Sequence, residues 1–202
     1  QSTVPKLENL RGIGTEDVRV TMNVPAGTGD WFGGWQGDRN SESDRYCNAD
    51  ATSGRMVDLI ERREPGVMLC HWPGMYSNGS LEGFRSFQRV VNSIAGRFGD
   101  QTIWMKVSEI GRYWAAKELT EISGSGNQWV LKAPLAAEKF TLQIDHLGGT
   151  VTVQHDGHRT ALDEVTDPAL LDSGKWITRG QGVVACFDLP RGTSTIEVLT
   201  KS

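Results

Sequence analysis

The sequence predicts two domains: an α/β domain over residues 1–122, arranged as a (β/α) barrel or a doubly wound sheet, and a small antiparallel β-sandwich over residues 123–202. Short apolar runs alternate with amphipathic helical segments in the first part, which predicts parallel strands joined by right-handed crossovers. A Gly- and Ser-rich joint at 123–127 ends the helical periodicity, and the runs after it are short and β-branched. The change of pattern places the domain boundary at this joint.

The first domain alternates strands with helices after an irregular polar lead-in over residues 1–16. Val18, Val20 and Met22 alternate with polar residues, as expected of a strand. Apolar residues recur every three or four positions from 84 to 98, which is typical of an amphipathic helix. The predicted order is strand 18–22, helix 53–63, strand 67–70, helix 80–98, strand 102–105 and helix 108–119.

The second domain lacks helical periodicity, and its β-branched runs are separated by Gly, Asp or Pro turns. The predicted strands are 130–132, 140–144, 151–154, 176–178, 183–187 and 194–199. Within this domain, His155-Asp156-Gly157-His158 is typical of a hairpin turn with exposed imidazoles, an interpretation favoured over a metal site.

Composition excludes several classes of function. The chain has 202 residues and a net charge of -4 with both signs interspersed, so neither a nucleic-acid partner nor a membrane partner is expected. Its three cysteines lack metal-like spacing and are predicted to be mostly buried thiols. Residues 1–15 lack the order of a signal peptide, so the chain is either cytosolic or has lost a leader. A chain that has lost a leader is expected to be secreted or periplasmic.

The first candidate site is a histidine at the end of a predicted buried strand. The apolar run 67–70 ends at His71, and Pro73 and Gly74 prevent further strand pairing, which predicts a loop over residues 72–76. Chemistry in parallel α/β folds lies at the carboxyl ends of strands. The alternative is a structural histidine bonded to a neighbouring carbonyl.

A second loop is predicted to converge on the same rim. Asp30 and Trp31 follow the first strand and precede a long excursion over residues 32–49. If the two loops meet, Asp30 could bond the imidazole of His71 and raise its pKa. The alternative is that Asp30 only forms a turn. Trp31, Trp35 and Trp72 fall on predicted loops, where sugar stacking and plain packing both remain open.

These residues resemble the polysaccharide deacetylase-like carbohydrate esterases over roughly residues 18–120. The resemblance implies that residues 1–122 are the carboxyl-terminal part of a deacetylase-like (β/α) barrel. The segment Gly27-Thr28-Gly29-Asp30-Trp31 resembles their Asp-x-x-Asp-Trp motif with the first Asp replaced by Gly. Leu69-Cys70-His71 matches their late Leu-x-His motif, and Ser108-Glu109-Ile110 is similar to a segment near the end of these domains.

The resemblance implies a role for each matched residue. His71 would be the general acid for the leaving group, tuned by Asp30. Leu69 would line the acetyl pocket, and Trp31 would form one wall of the substrate groove. Trp35, Trp72 and Tyr76, which lie on the same loops, are expected to contact a polysaccharide or oligosaccharide substrate.

The metal half of the family pattern is absent, because no histidine precedes His71. No metal ligand is therefore assigned within the chain, and zinc is expected only if upstream residues supply its ligands. Two hypotheses follow: a polysaccharide deacetylase-like hydrolase or its carboxyl-terminal fragment, and a non-catalytic glycan-binding or structural module.

Overall fold

A computed structural model of the protein describes residues 2–26, 30–31, 40–76, 79–146 and 148–199. The chain divides into two compact units. Unit 1 comprises residues 1–5 and 24–110, and unit 2 comprises residues 6–23 and 111–202. No helix in the described ranges is long and apolar enough to cross a membrane.

The described α-helices lie in the middle of the chain. They are α1 (Arg55–Glu61), α2 (Trp72–Tyr76), α3 (Glu82–Phe98) and α4 (Val107–Leu119). Short 3₁₀ helices occupy Asn40–Arg45 and Pro168–Leu170. The predicted helix over 80–98 is confirmed by α3, whose Val90, Ile94 and Phe98 are buried.

The described strands occur before and after the helices. They are β1 (Lys6–Arg11), β2 (Arg19–Asn23), β3 (Asp30–Trp31), β4 (Leu69–Cys70), β5 (Glu121–Ser125), β6 (Gln128–Ala133), β7 (Ala137–Ile144), β8 (Thr150–His155), β9 (His158–Ala161), β10 (Asp163–Glu164), β11 (Lys175–Arg179), β12 (Gly182–Leu189) and β13 (Gly192–Leu199).

Unit 2 is built on two sheets that share one hydrophobic core. The five-stranded sheet is antiparallel in the order β5-β6-β13-β8-β9. The four-stranded sheet has the order β10-β11-β12-β7 and is antiparallel except for β10 beside β11. Side chains alternate between the two faces of a strand, so one face of each sheet can be apolar. Leu131 and Ile196 from one sheet and Phe187 from the other belong to the same buried cluster.

The turn between β8 and β9 has the geometry that its Asp-Gly sequence favours. Asp156 and Gly157 both have positive φ, at 46° and 80°, and they connect the paired residues His155 and His158. Two left-handed residues make a type I′ turn, which matches the twist of the hairpin. The predicted hairpin turn is therefore confirmed.

Unit 1 has its own core around α1 and α3. Met56, Val57 and Leu59 pack with Val90 and Ile94. The Arg89 side chain fixes the segment before α1: it donates to the Cys47 carbonyl (2.9 Å) and to the Asp44 carboxylate (2.7 Å), and it also bonds the Ser43 hydroxyl. Near the start of the chain, Thr3 donates its backbone N–H to Glu64 (2.7 Å).

The predicted (β/α) barrel is wrong. The described residues are richer in strand than in helix, and their sheets of two, four and five strands do not close into a barrel. The first predicted barrel strand is instead β2, which pairs antiparallel with β1 in a stretch expected to be irregular. The only parallel pair in unit 1 among the described residues is β3 with β4, two residues long. The predicted strand 102–105 has no strand geometry.

Candidate functional site

The two motif segments singled out in the sequence do meet in the backbone. Strands β3 and β4 are parallel, with Asp30 opposite Leu69 and Trp31 opposite Cys70. His71 follows β4 directly and is exposed. The structure thus places the backbone of Asp30 beside that of Leu69, two residues before His71.

Other expectations for this region fail. Strand β4 is not buried: Leu69 is 47% exposed and Cys70 is also exposed. The chain after it is not a loop but helix α2, because Pro73 is tolerated in a first helical turn, where its missing N–H has no partner to lose. Tyr76, at the end of α2, is 47% exposed.

The acid role of His71 stays a prediction. The structure describes the backbone, but not the side chains, of Asp30, Trp31 and Trp72, and Trp35 lies outside the described residues. The expected hydrogen bond between Asp30 and His71 and the expected sugar contacts of these tryptophans therefore remain predictions as well.

The structure draws attention to a different segment of unit 1, the connection between α3 and α4. The sequence predicts a short apolar strand over residues 102–105. In the structure, Ile103 is 80% exposed, Trp104 is 59% exposed and Met105 is 45% exposed. Three consecutive apolar side chains that face solvent are uncommon in a soluble protein and typically mark an interaction site.

This connection, residues 102–106, is held at both ends. At one end, the Thr102 hydroxyl donates to the Phe98 carbonyl at the end of α3 (2.8 Å). At the other, the backbone N–H of Lys106 donates to the Glu109 carboxylate in the first turn of α4 (2.8 Å). The second bond resembles half of a capping box, in which a carboxylate at the third helical position accepts from the backbone N–H of the residue just before the helix. Anchoring at both ends reduces the conformational entropy that binding would cost.

Polar groups accompany the apolar residues of the connection. Asp100 and Gln101 precede it, Lys106 follows Met105, and all three side chains are exposed. A flat indole ring with hydrogen-bonding groups close by in sequence is the composition that a sugar ring requires, since sugars have an apolar face and a polar rim.

The described cysteines and histidines give no second chemical centre. Burial raises the pKa of the Cys47 and Cys186 thiols, which disfavours the nucleophilic thiolate. His155 is not an exposed turn residue as expected: its Nδ1 lies 3.1 Å from the Thr193 carbonyl and 3.1 Å from the Ser194 hydroxyl. Across the described ranges, no three His, Cys, Asp or Glu side chains are grouped for a metal.

Comparisons with protein-family models, with curated proteins and with solved structures found no match to this chain. The candidate site therefore stands on the geometry of the chain itself. Sequence analysis missed Trp104 because its apolar neighbours are typical of a buried strand; exposure is the signal that identifies it.

Proposed function

We propose that the protein is a glycan-binding module in which Trp104 stacks on a sugar ring. The observation that carries this proposal is the anchored, exposed connection at residues 102–106. A ring that is 59% exposed, on a backbone fixed at both ends, offers a preformed apolar platform. The exposed side chains of Gln101 and Lys106 supply hydrogen bonds for hydroxyl groups.

The contribution of Trp104 to binding follows from its exposed area. A tryptophan side chain buries up to about 250 Å², so an exposed fraction of 59% corresponds to roughly 150 Å². Stacking on one face would cover about half of this, and at about 25 cal/mol per Å² it would contribute about 2 kcal/mol. Loss of the ring should therefore weaken binding roughly 20- to 30-fold.

Affinity electrophoresis through gels that contain soluble polysaccharides tests the proposal. The wild-type protein should be retarded in at least one gel, and Trp104→Ala should lose most of that retardation. Leu170→Ala is the matched control, because Leu170 is exposed to a similar degree in unit 2. Equal retardation of Trp104→Ala and the wild type would refute the role of Trp104.

A second candidate function is hydrolysis of an acetylated or otherwise substituted polysaccharide, with His71 as general acid. The parallel pairing of Asp30 with Leu69 favours it, because this pairing brings the two motif segments together. The test is release of acetate from acetylated polysaccharides by the wild type, by His71→Asn and by the control His158→Asn, whose imidazole is exposed in unit 2. Activity that persists in His71→Asn would refute this assignment.

A further inference from the structure

A second surface of unit 1, a groove along α3, carries a different chemical signature. The groove has a volume of about 780 Å³ and is open to solvent. Among the described residues, its lining combines guanidinium, amide and hydroxyl groups with one carboxylate. The lining residues are Ala49, Asp50, Arg85, Gln88, Arg89, Asn92, Ser93, Gly96 and Arg97.

The groove follows a ridge of residues on α3. Residues four positions apart form a ridge that drifts by about 40° per step around an α-helix, so the lining residues from 85 to 97 follow one polar ridge, and Arg97 is turned about 120° from Arg85. The apolar stripe of α3, with Val90 and Ile94, is buried in the core of unit 1. Arg85 and Arg97 are separated by twelve residues, or about 18 Å along the helix axis.

The arginines of the groove are not equivalent. Arg89 is neutralised by Asp44 and holds the Ser43–Cys47 segment in place, so its role is structural. Arg85 and Arg97 are exposed, and neither forms an ion pair with any described residue. The Arg97 guanidinium lies 5.4 Å from the ring centroid of Phe98, a contact that restrains the side chain without neutralising its charge.

We propose that this groove binds the anionic groups of an acidic glycan, namely carboxylates or sulfates on a polysaccharide chain. The proposal rests on the proposed function, since it assigns a chemical class to the glycan. A guanidinium binds carboxylate or sulfate oxygens through paired N–H donors. Between Arg85 and Arg97, the amides of Gln88 and Asn92 supply donors and acceptors that suit sugar hydroxyls.

The groove favours a glycan over a nucleic acid. Within the described part of the chain, its lining contains no aromatic side chain on which a base could stack. An open groove with two separated cations suits a chain that carries one charge per sugar or fewer.

Fluorescence anisotropy with labelled oligosaccharides of matched length tests the proposal. The probes are an oligogalacturonate, a sulfated dextran oligomer, a neutral dextran oligomer and a single-stranded oligonucleotide. The proteins are the wild type, Arg85→Ala/Arg97→Ala, Trp104→Ala and the control Arg11→Ala/Arg179→Ala. The control removes the same charge from exposed positions outside the groove.

The wild type should bind at least one anionic oligosaccharide, at least tenfold more tightly than the neutral one. Arg85→Ala/Arg97→Ala should lose at least tenfold in affinity for it, and Arg11→Ala/Arg179→Ala should lose less than twofold. Raising NaCl from about 50 mM to about 500 mM should weaken binding, because the ion pairs are exposed.

Three outcomes would overturn the proposal. Equal loss of affinity in both double variants would mean that binding depends only on net charge. An oligonucleotide that binds as tightly as the acidic glycan would exclude selectivity for glycans. Glycan binding by Arg85→Ala/Arg97→Ala at the wild-type level, with loss of binding in Trp104→Ala, would leave glycan recognition in place and reject only the groove. If no glycan binds to the wild type, the proposed function itself fails.

Discussion

Replacement of Leu131 by Ala should strongly destabilise unit 2. Leu131 lies on β6, is fully buried, and belongs to the core cluster that both sheets share. The substitution removes three carbon atoms, worth about 0.8 kcal/mol each in transfer free energy. The cavity left between the sheets adds to this cost, and the expected loss in the free energy of unfolding is about 3 to 4 kcal/mol.

The assay is urea unfolding with linear extrapolation, combined with amide hydrogen exchange resolved by peptide. Peptides from β6 and its neighbour β13 should lose protection in Leu131→Ala. The matched control is Leu170→Ala, which makes the same chemical change at a residue 56% exposed in the same unit and should alter stability by less than about 0.5 kcal/mol. A loss below about 1 kcal/mol in Leu131→Ala would refute the shared core.

Further predictions concern pH, turn geometry and a structural arginine. Hydrogen bonds from Thr3 lower the pKa of the Glu64 carboxyl group from 4.5 to about 2. The stability that the Glu64 carboxylate gives to the folded protein is therefore complete above about pH 4.5 and is lost as the pH falls through about 2. The difference in melting temperature between wild type and Glu64→Gln should shrink over that range, and a constant difference would contradict this cause. Gly157→Ala should cost about 1 kcal/mol in urea unfolding, because φ at this position is positive, and an unchanged midpoint would exclude strain there. Arg89→Ala should cost about 2 kcal/mol and raise hydrogen exchange around Cys47, whose carbonyl accepts an Arg89 bond, whereas unaltered exchange would exclude the anchoring role.

Sequence periodicity predicted the helices and strands whose apolar residues recur regularly along one continuous segment. The apolar residues of α3 recur over four turns, and only one face of the helix fits a core. The strands that include Val151 and Ile196 alternate apolar and polar residues because one face of each sheet is buried. The Asp156-Gly157 turn requires positive φ at both residues, a requirement that is visible in the sequence.

The barrel prediction failed because short apolar runs do not specify their partners. Strand β1 is mostly polar, and it is a strand only because β2 pairs with it across a turn. The run Ile103-Trp104-Met105 has the composition of a buried strand, yet it is exposed. Burial depends on contacts between distant segments, which periodicity over a few residues does not report.

The candidate sites, like the fold, could be predicted from the sequence only in part. The loops at Asp30 and His71 were expected to converge on a barrel rim; the barrel is absent, but the backbone of Asp30 pairs with that of Leu69. The exposed indole of Trp104 could not be identified from sequence, because its exposure is a property of the tertiary structure. The polar ridge of α3 was visible in principle, since Arg85, Arg89 and Arg97 follow one another at spacings of four and eight residues.

Fluorine NMR of the protein labelled with 5-fluorotryptophan tests the glycan-binding proposal most directly. The chain contains seven tryptophans, and the resonance of Trp104 can be assigned as the one that disappears in Trp104→Phe. Titration with a polysaccharide fragment that retards the protein should shift the Trp104 resonance saturably, while the buried Trp176 in unit 2 should not respond. A Trp104 resonance that stays unchanged at saturating glycan would contradict the proposed role of residues 102–106.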